Sequence, residues 1–401
     1  MTQTMIPAVF MRGGTSKGVF FVASDLPAAR ADMARLFLAV LGSPDPYGRQ
    51  LDGMGGGISS LSKAVVISRS THPEADVDYT FAQVSVDRPE VEWSVNCGNL
   101  SSAVGPFAVD QGLVRVEPEG EALVRIHQVN TRKIIHARFP VHAGKAEVTG
   151  DFSIDGVAGT GARIRLDFLD PGGTRGGGLL PSGAAADTIQ IDGERAIRAT
   201  LIDAASPAMF VAATDLGLIG TEAPDQIEAR PDIMARLDRL RRAGGVRMRI
   251  ADHPEDVPLA APRIAVVARP AAFATLDSRT LPLSSHEISV RMISMERVHR
   301  AVPMTGALAL GVACRLPGTV PHDLCDTPVD AEVVHLGHPS GTVAVGANVV
   351  PHGVDGWYAR SAVIYRTARL LMQGAVAVPS ALYAPGTGGK RLAITELSSA
   401  S

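Results

Sequence analysis

The feature that most constrains this chain is an internal echo. Residues 96–114, NCGNLSSAVGPFAVDQGLV, can be laid over residues 303–320, PMTGALALGVACRLPGTV. Each is a small-residue loop running into a helix, and each is followed by a strand-turn-strand segment, QVNTRKIIHA in the first half and HLGHPSGTVAVG in the second. A distant duplication of this kind predicts two similar halves about a pseudo-twofold axis. The two helix starts then face one another across a cleft, each offering free backbone N–H groups and a positive dipole end. Such a pair suits a substrate with several carboxylates.

Length agrees, because 401 residues exceed what one core usually serves. Two domains are expected, 1–185 and 186–401, parted near the glycine-rich stretch PGGTRGGGLLPSG, with the C-terminal end able to pack back on the first. A net charge of -3 and a pI near 6.4 supply no basic field for nucleic acid or an anionic membrane, so a small-molecule partner is expected. No 18-residue apolar run occurs, and MTQTMIPAVF lacks the features of an export signal. Cys97, Cys314 and Cys325 are too few for a disulfide framework. A cytoplasmic protein with reduced thiols is the expectation, and a homodimer its expected assembly.

Short β-rich runs such as GVFFVA, KAVVIS, KIIHARFPV and RIAVVAR outnumber the helix candidates. Helices are expected at residues 26–41, from just after Cys97 to about Gln111, from Pro231 to a stop at Gly244, and at 303–314. The reading is a mixed α+β fold.

Two residues stand out chemically. Cys97 lies in Asn96-Cys97-Gly98-Asn99 just before a helix, where the dipole favours a thiolate and Gly98 lets a ligand approach the backbone. Lys63 ends the loop GMGGGISSLSK and opens the apolar strand AVVIS, and shielding from water favours the neutral amine a general base needs. Taken singly, one could be a structural cysteine and the other a lysine snorkelling at a strand end. Arg12-Gly13-Gly14-Thr15-Ser16-Lys17 combines cations, hydroxyls and flexible backbone into an anion cradle. No P-loop can be fitted to it, and its GxSxG letters lead into a strand where a nucleophile elbow must lead into a helix. The histidines contain no HxH or HExxH, so no metal is expected.

Together MRGGTSKGVFF, SSLSKAVVIS, NCGNLSSAVGPFAVDQGLV, QVNT, LLPSG, MTGALALGVA, GHPSGT and RTARLLMQGAVAVP resemble the 2-methylaconitate cis-trans isomerase family of the diaminopimelate epimerase-like superfamily. The resemblance implies two α/β halves, each a mixed sheet wrapped round a central helix, with the active site between them and no cofactor. In the epimerases each half gives one cysteine as acid or base. Here the first is Cys97, but the second position falls on Met304, which cannot exchange a proton. The isomerase branch instead pairs a lysine with a cysteine, matching Lys63 and Cys97. Substrate contacts implied by the match are Thr15, Ser16, Lys17, Ser62, Gly98, Asn99, Met304, Thr305, Gly306, Ser340, Gly341 and Thr342.

The activity implied is allylic proton abstraction and return on a small unsaturated tricarboxylate, most simply 2-methylaconitate. Oxalomesaconate tautomerisation, or isomerisation of an aconitate or itaconate-type acid, fits the same motifs. A non-catalytic polycarboxylate binder would have no need of Lys63 and Cys97. An amino acid epimerase is disfavoured by Met304. Either of Lys63 and Cys97 can serve as the base.

Overall fold

The computed structural model describes residues 2–93, 96–191, 193–259, 261–294, 296–326, 331–353 and 356–381. In the first half the longer strands are β1 (Gln3–Gly13), β2 (Ser16–Val22), β3 (Lys63–Arg69), β4 (Val77–Val84), β5 (Gly120–Gln128), β6 (Lys133–His142) and β7 (Ile164–Leu169). They pair in chain order: antiparallel, parallel, antiparallel, parallel, antiparallel, antiparallel. Helix α1 (Arg30–Leu41) crosses from β2 to β3, and α2 (Gly98–Asp110) lies between β4 and β5.

The second half repeats this series. Its strands are β8 (Ile197–Asp203), β9 (Pro207–Ala212), β10 (Arg263–Ala268), β11 (Ile288–Ser294), β12 (Val334–His338), β13 (Gly341–His352) and β14 (Gly356–Arg366). Their pairings run through the same six relations in the same order. Helix α3 (Pro231–Arg247) crosses from β9 to β10, and α4 (Met304–Cys314) lies between β11 and β12. The halves are stitched together, because β14 also pairs with β7, and β15 (Ala368–Pro379) returns to pair with β1.

The central helices are apolar on every side because sheet surrounds them. Leu100, Val104 and Phe107 of α2 and Leu308, Leu310 and Val312 of α4 are fully buried in one cluster that spans both halves. Each such side chain contributes about 1.5–3 kcal/mol by leaving water. Buried hydroxyls in α2 turn back on its own carbonyls, Ser101 to Cys97 at 3.1 Å and Ser102 to Asn99 at 2.7 Å. The outer faces of the sheets are covered separately, by α1 through Phe37 and Leu41 and by α3 through Leu237 and Leu240.

One expectation needs correction. Helix α3 runs past Gly244 to Arg247, because Gly244 and Gly245 are where the helix presses onto its neighbours: a Cβ would meet Met209 Sδ at 2.7 Å and Val257 Cγ1 at 2.6 Å. The glycine-rich stretch is held at its middle by hydrogen bonds to Asp203. Thr174 Oγ1 and the Arg175 N–H donate to the Asp203 carboxylate at 2.5 and 2.8 Å.

Candidate active site

Strand alternation sets the first half of the site. Val65 and Ile67 of β3 and Tyr79 and Phe81 of β4 share the inner core with α2, so Lys63, two residues before Val65, belongs to that inward face. Lys63 is 7 % exposed. Its Nζ lies 5.0 Å from the Phe81 ring centroid and donates to Gln83 Oε1 across the strand pair. The Gln83 amide is fixed the other way round by donation to the Ser59 and Ser62 carbonyls at 3.0 and 2.9 Å, which leaves its oxygen for Lys63.

Cys97 is 9 % exposed and caps α2. Its carbonyl accepts from Tyr79 Oη at 3.2 Å and from Ser101 Oγ, and burial pushes the Tyr79 phenol well above its ordinary value, keeping it a neutral donor. The lysine and the cysteine thus belong to one neighbourhood. A Cβ on Gly18 would stand 3.2 Å from Lys63 Cβ and 2.9 Å from Leu100 in the first turn of α2.

The two helix starts meet directly. Met304 Cε lies 1.4 Å from where a Cβ on Gly98 would be, so only glycine admits the methionine there. Beside this contact opens a cleft of about 690 Å³ whose wall includes Thr15, Ser60, Asn99, Met304, His338, Thr342 and Arg366. Asn99 ties the wall together: its Nδ2 donates to Thr15 Oγ1 at 3.0 Å while its Oδ1 accepts from Arg366 Nε at 3.2 Å. Lys63 and Cys97 do not form the wall themselves. Their neighbours Ser60, Asn99 and Met304 do.

Of the sequence-predicted contacts, Thr15, Asn99, Met304 and Thr342 line the cleft, and Gly98 lies under Met304. Others are elsewhere. The Lys17 ammonium sits 5.6 Å from the Phe10 ring, on the outer face of the β1–β2 hairpin, while Ser16 is buried. Ser62 is fully buried, and its hydroxyl accepts from Gln50 Nε2 at 2.8 Å. Thr305 Oγ1 accepts from Arg263 at 3.0 Å, and Gly306 packs against Met292. Ser340 Oγ donates to the Arg300 carbonyl at 2.6 Å. The N–H of Thr342, beyond Gly341, is taken by Asp155 Oδ2 at 2.7 Å, so this loop already holds a carboxylate of the protein. Sequence reasoning missed His338, Arg366 and the segment 152–155 that closes one side of the cleft. Arg366 is in RTARLLMQGAVAVP and His338 in GHPSGT, so both were inside recognised motifs without being singled out.

A duplicated α+β fold whose two central helices meet end to end beside a cleft is the architecture expected of the diaminopimelate epimerase-like class. The chain belongs to the PrpF protein family, which it matches over residues 3–379. It is 41% identical over 389 residues to a 2-methyl-aconitate isomerase of Shewanella oneidensis, covering 94% of this chain and 98% of the relative. A 4-oxalomesaconate tautomerase of Pseudomonas putida is 37% identical, covering 94% and 97%. The crystal structure of a methylitaconate-delta-isomerase superposes with a TM-score of 0.88 at 37% identity, covering 96% of this chain and 99% of that one. The chain is an isomerase. Among the described residues no helix is long and apolar enough to cross a membrane.

Proposed function

We propose that this isomerase interconverts cis and trans 2-methylaconitate, with Lys63 and Cys97 as its proton-transfer pair. The observation that carries the reading is their convergence. Both are nearly buried, Cys97 caps α2 while Gly18 packs between Lys63 and Leu100 of its first turn, and Ser60, Asn99 and Met304 beside them line the cleft.

Lys63 takes the proton from the saturated carbon next to the double bond, and the electron pair left behind spreads through the alkene into a carboxylate. The former double bond gains single-bond character and turns. The Cys97 thiol then returns a proton to carbon, and exchange with water restores lysine and thiol. Charge on the intermediate is met by preorganised donors, the arrangement that usually contributes most to such catalysis. In the reverse direction the two residues exchange roles.

The oxalomesaconate alternative shares every step and has a relative of similar identity. The two are separated by measuring kcat/KM on 2-methyl-cis-aconitate and on 4-oxalomesaconate. The reading expects the first to be preferred by at least about tenfold, the scale of discrimination a substituent-sized pocket provides. A reversed preference would reassign the substrate. We further propose two domains, 1–185 and 186–401, in a cytoplasmic homodimer that binds no nucleic acid. The repeated strand order supports the division, and the net charge of -3 supports the last point.

A further inference from the structure

The cleft contains a cation that the proton-transfer scheme leaves unused. Arg366, at the end of β14, is 8 % exposed, and burial draws its guanidinium down to about 10, still charged at neutral pH. Its Nε donates to Asn99 Oδ1 at 3.2 Å and its Nη1 to the Tyr365 carbonyl at 2.9 Å, both neutral acceptors. Among the described residues no carboxylate pairs with it. A buried unpaired charge is costly, and one held rigid on the wall of a cleft has a counter-ion to gain from a ligand.

His338 stands on the same wall and is 4 % exposed. Its Nδ1 accepts from the Ser340 N–H at 3.2 Å, so the ring proton resides on Nε2. The ring is therefore a neutral donor, and the Thr342 carbonyl is the protein acceptor that a ligand oxygen would share or displace. The acid on this wall, Asp155, is already held by the Thr342 N–H and by Arg279 at 3.2 Å.

We propose that Arg366 and His338 form the subsite for the substrate carboxylate conjugated to the reacting double bond. Arg366 is its counter-ion, and His338 Nε2–H donates to the oxygen that gains charge when the allylic proton leaves. This rests on the unsaturated polycarboxylate reading above. No proton moves to either residue. Arg366 binds the ground state and the intermediate alike, whereas the neutral imidazole gains most when charge reaches the oxygen, so the two should fail differently.

The test uses tricarballylate, a saturated tricarboxylate with no allylic proton, as a binding probe by calorimetry, and isomerisation kinetics alongside. Arg366→Gln is expected to weaken tricarballylate binding by more than about tenfold, with partial rescue by added guanidinium. His338→Gln is expected to leave tricarballylate binding within a few-fold of wild type and to lower kcat by about 10²-fold. Arg366→Lys keeps the charge without the planar fork and serves if the glutamine variant does not fold; it too should bind more weakly. Tricarballylate binding unchanged in whichever arginine variant folds, or His338→Gln with wild-type kcat, overturns the proposal alone. A wild type that isomerises nothing and ignores tricarballylate overturns it together with the function it rests on.

Discussion

At the level of single residues, the contact between Gly98 and Met304 joins the halves where the chemistry is placed. Gly98→Ala would drive a methyl into the Met304 thioether, and overpacking of this kind costs about 1–3 kcal/mol. Met304→Ala in the same chain should relieve it, giving a coupling of about 0.5–3 kcal/mol in a denaturant double-mutant cycle. Simple additivity would show that the two do not touch. His338 makes a second prediction. Burial lowers it to about 4, while Asp155, Arg291 and Arg366 also act on it. The unfolded chain, titrating near 6.5, binds a proton that the folded chain refuses, so this stability is complete above pH 6.5 and lost as pH falls toward 4. The loss amounts to about 2 kcal/mol at pH 5, and the difference in unfolding free energy between pH 7 and pH 5 should shrink by that order in His338→Gln. An unchanged pH dependence would mean the imidazole is not desolvated.

Among the elements, the central helices were the most legible in sequence, because a stretch apolar on all sides and opening with small residues has few places to go. Their starts at Gly98 and Met304 fall within a residue of expectation. Helix α3 was misread at its end, since a glycine pair signals a stop in one dimension and a close approach in three. Gly245→Leu should therefore destabilise the protein by about 1–3 kcal/mol through collision with Val257 and Pro262, read as a shift in urea midpoint without a change in slope. If Gly245 were only a flexible stop, the replacement would be neutral or stabilising. The anion loops were half legible. Thr15, in the turn before β2, faces the cleft, whereas Lys17 is inside β2 and shares the outer face of Val19 and Phe21, and a motif read as letters carries no face. Ser62 was misplaced for the same reason, its hydroxyl being spent on Gln50.

For the whole molecule, the duplication in the sequence corresponds to an order of strand pairings repeated relation by relation. What the sequence did not reveal is how the halves interlock. Asp155 reaches from the first half to the Thr342 N–H, Arg366 reaches back to Asn99, and β15 closes the edge at β1. Contacts between residues more than 180 positions apart leave no local pattern to read. A fragment ending at residue 185 lacks β15 beside β1 and β14 beside β7, leaving both as open sheet edges, so it should show no cooperative thermal transition, while the full chain melts in one. A fragment that melted cooperatively would mean the halves fold independently.

The central claim is that Lys63 and Cys97 move a proton on an unsaturated polycarboxylate. Its most direct test follows 2-methyl-cis-aconitate in deuterated water by proton NMR with wild-type protein, Lys63→Ala and Cys97→Ser. The account predicts isomerisation with deuterium entering the allylic position in wild type, and loss of both in Lys63→Ala. Isomerisation by wild type without deuterium entry, or with full activity left in Lys63→Ala, would contradict it.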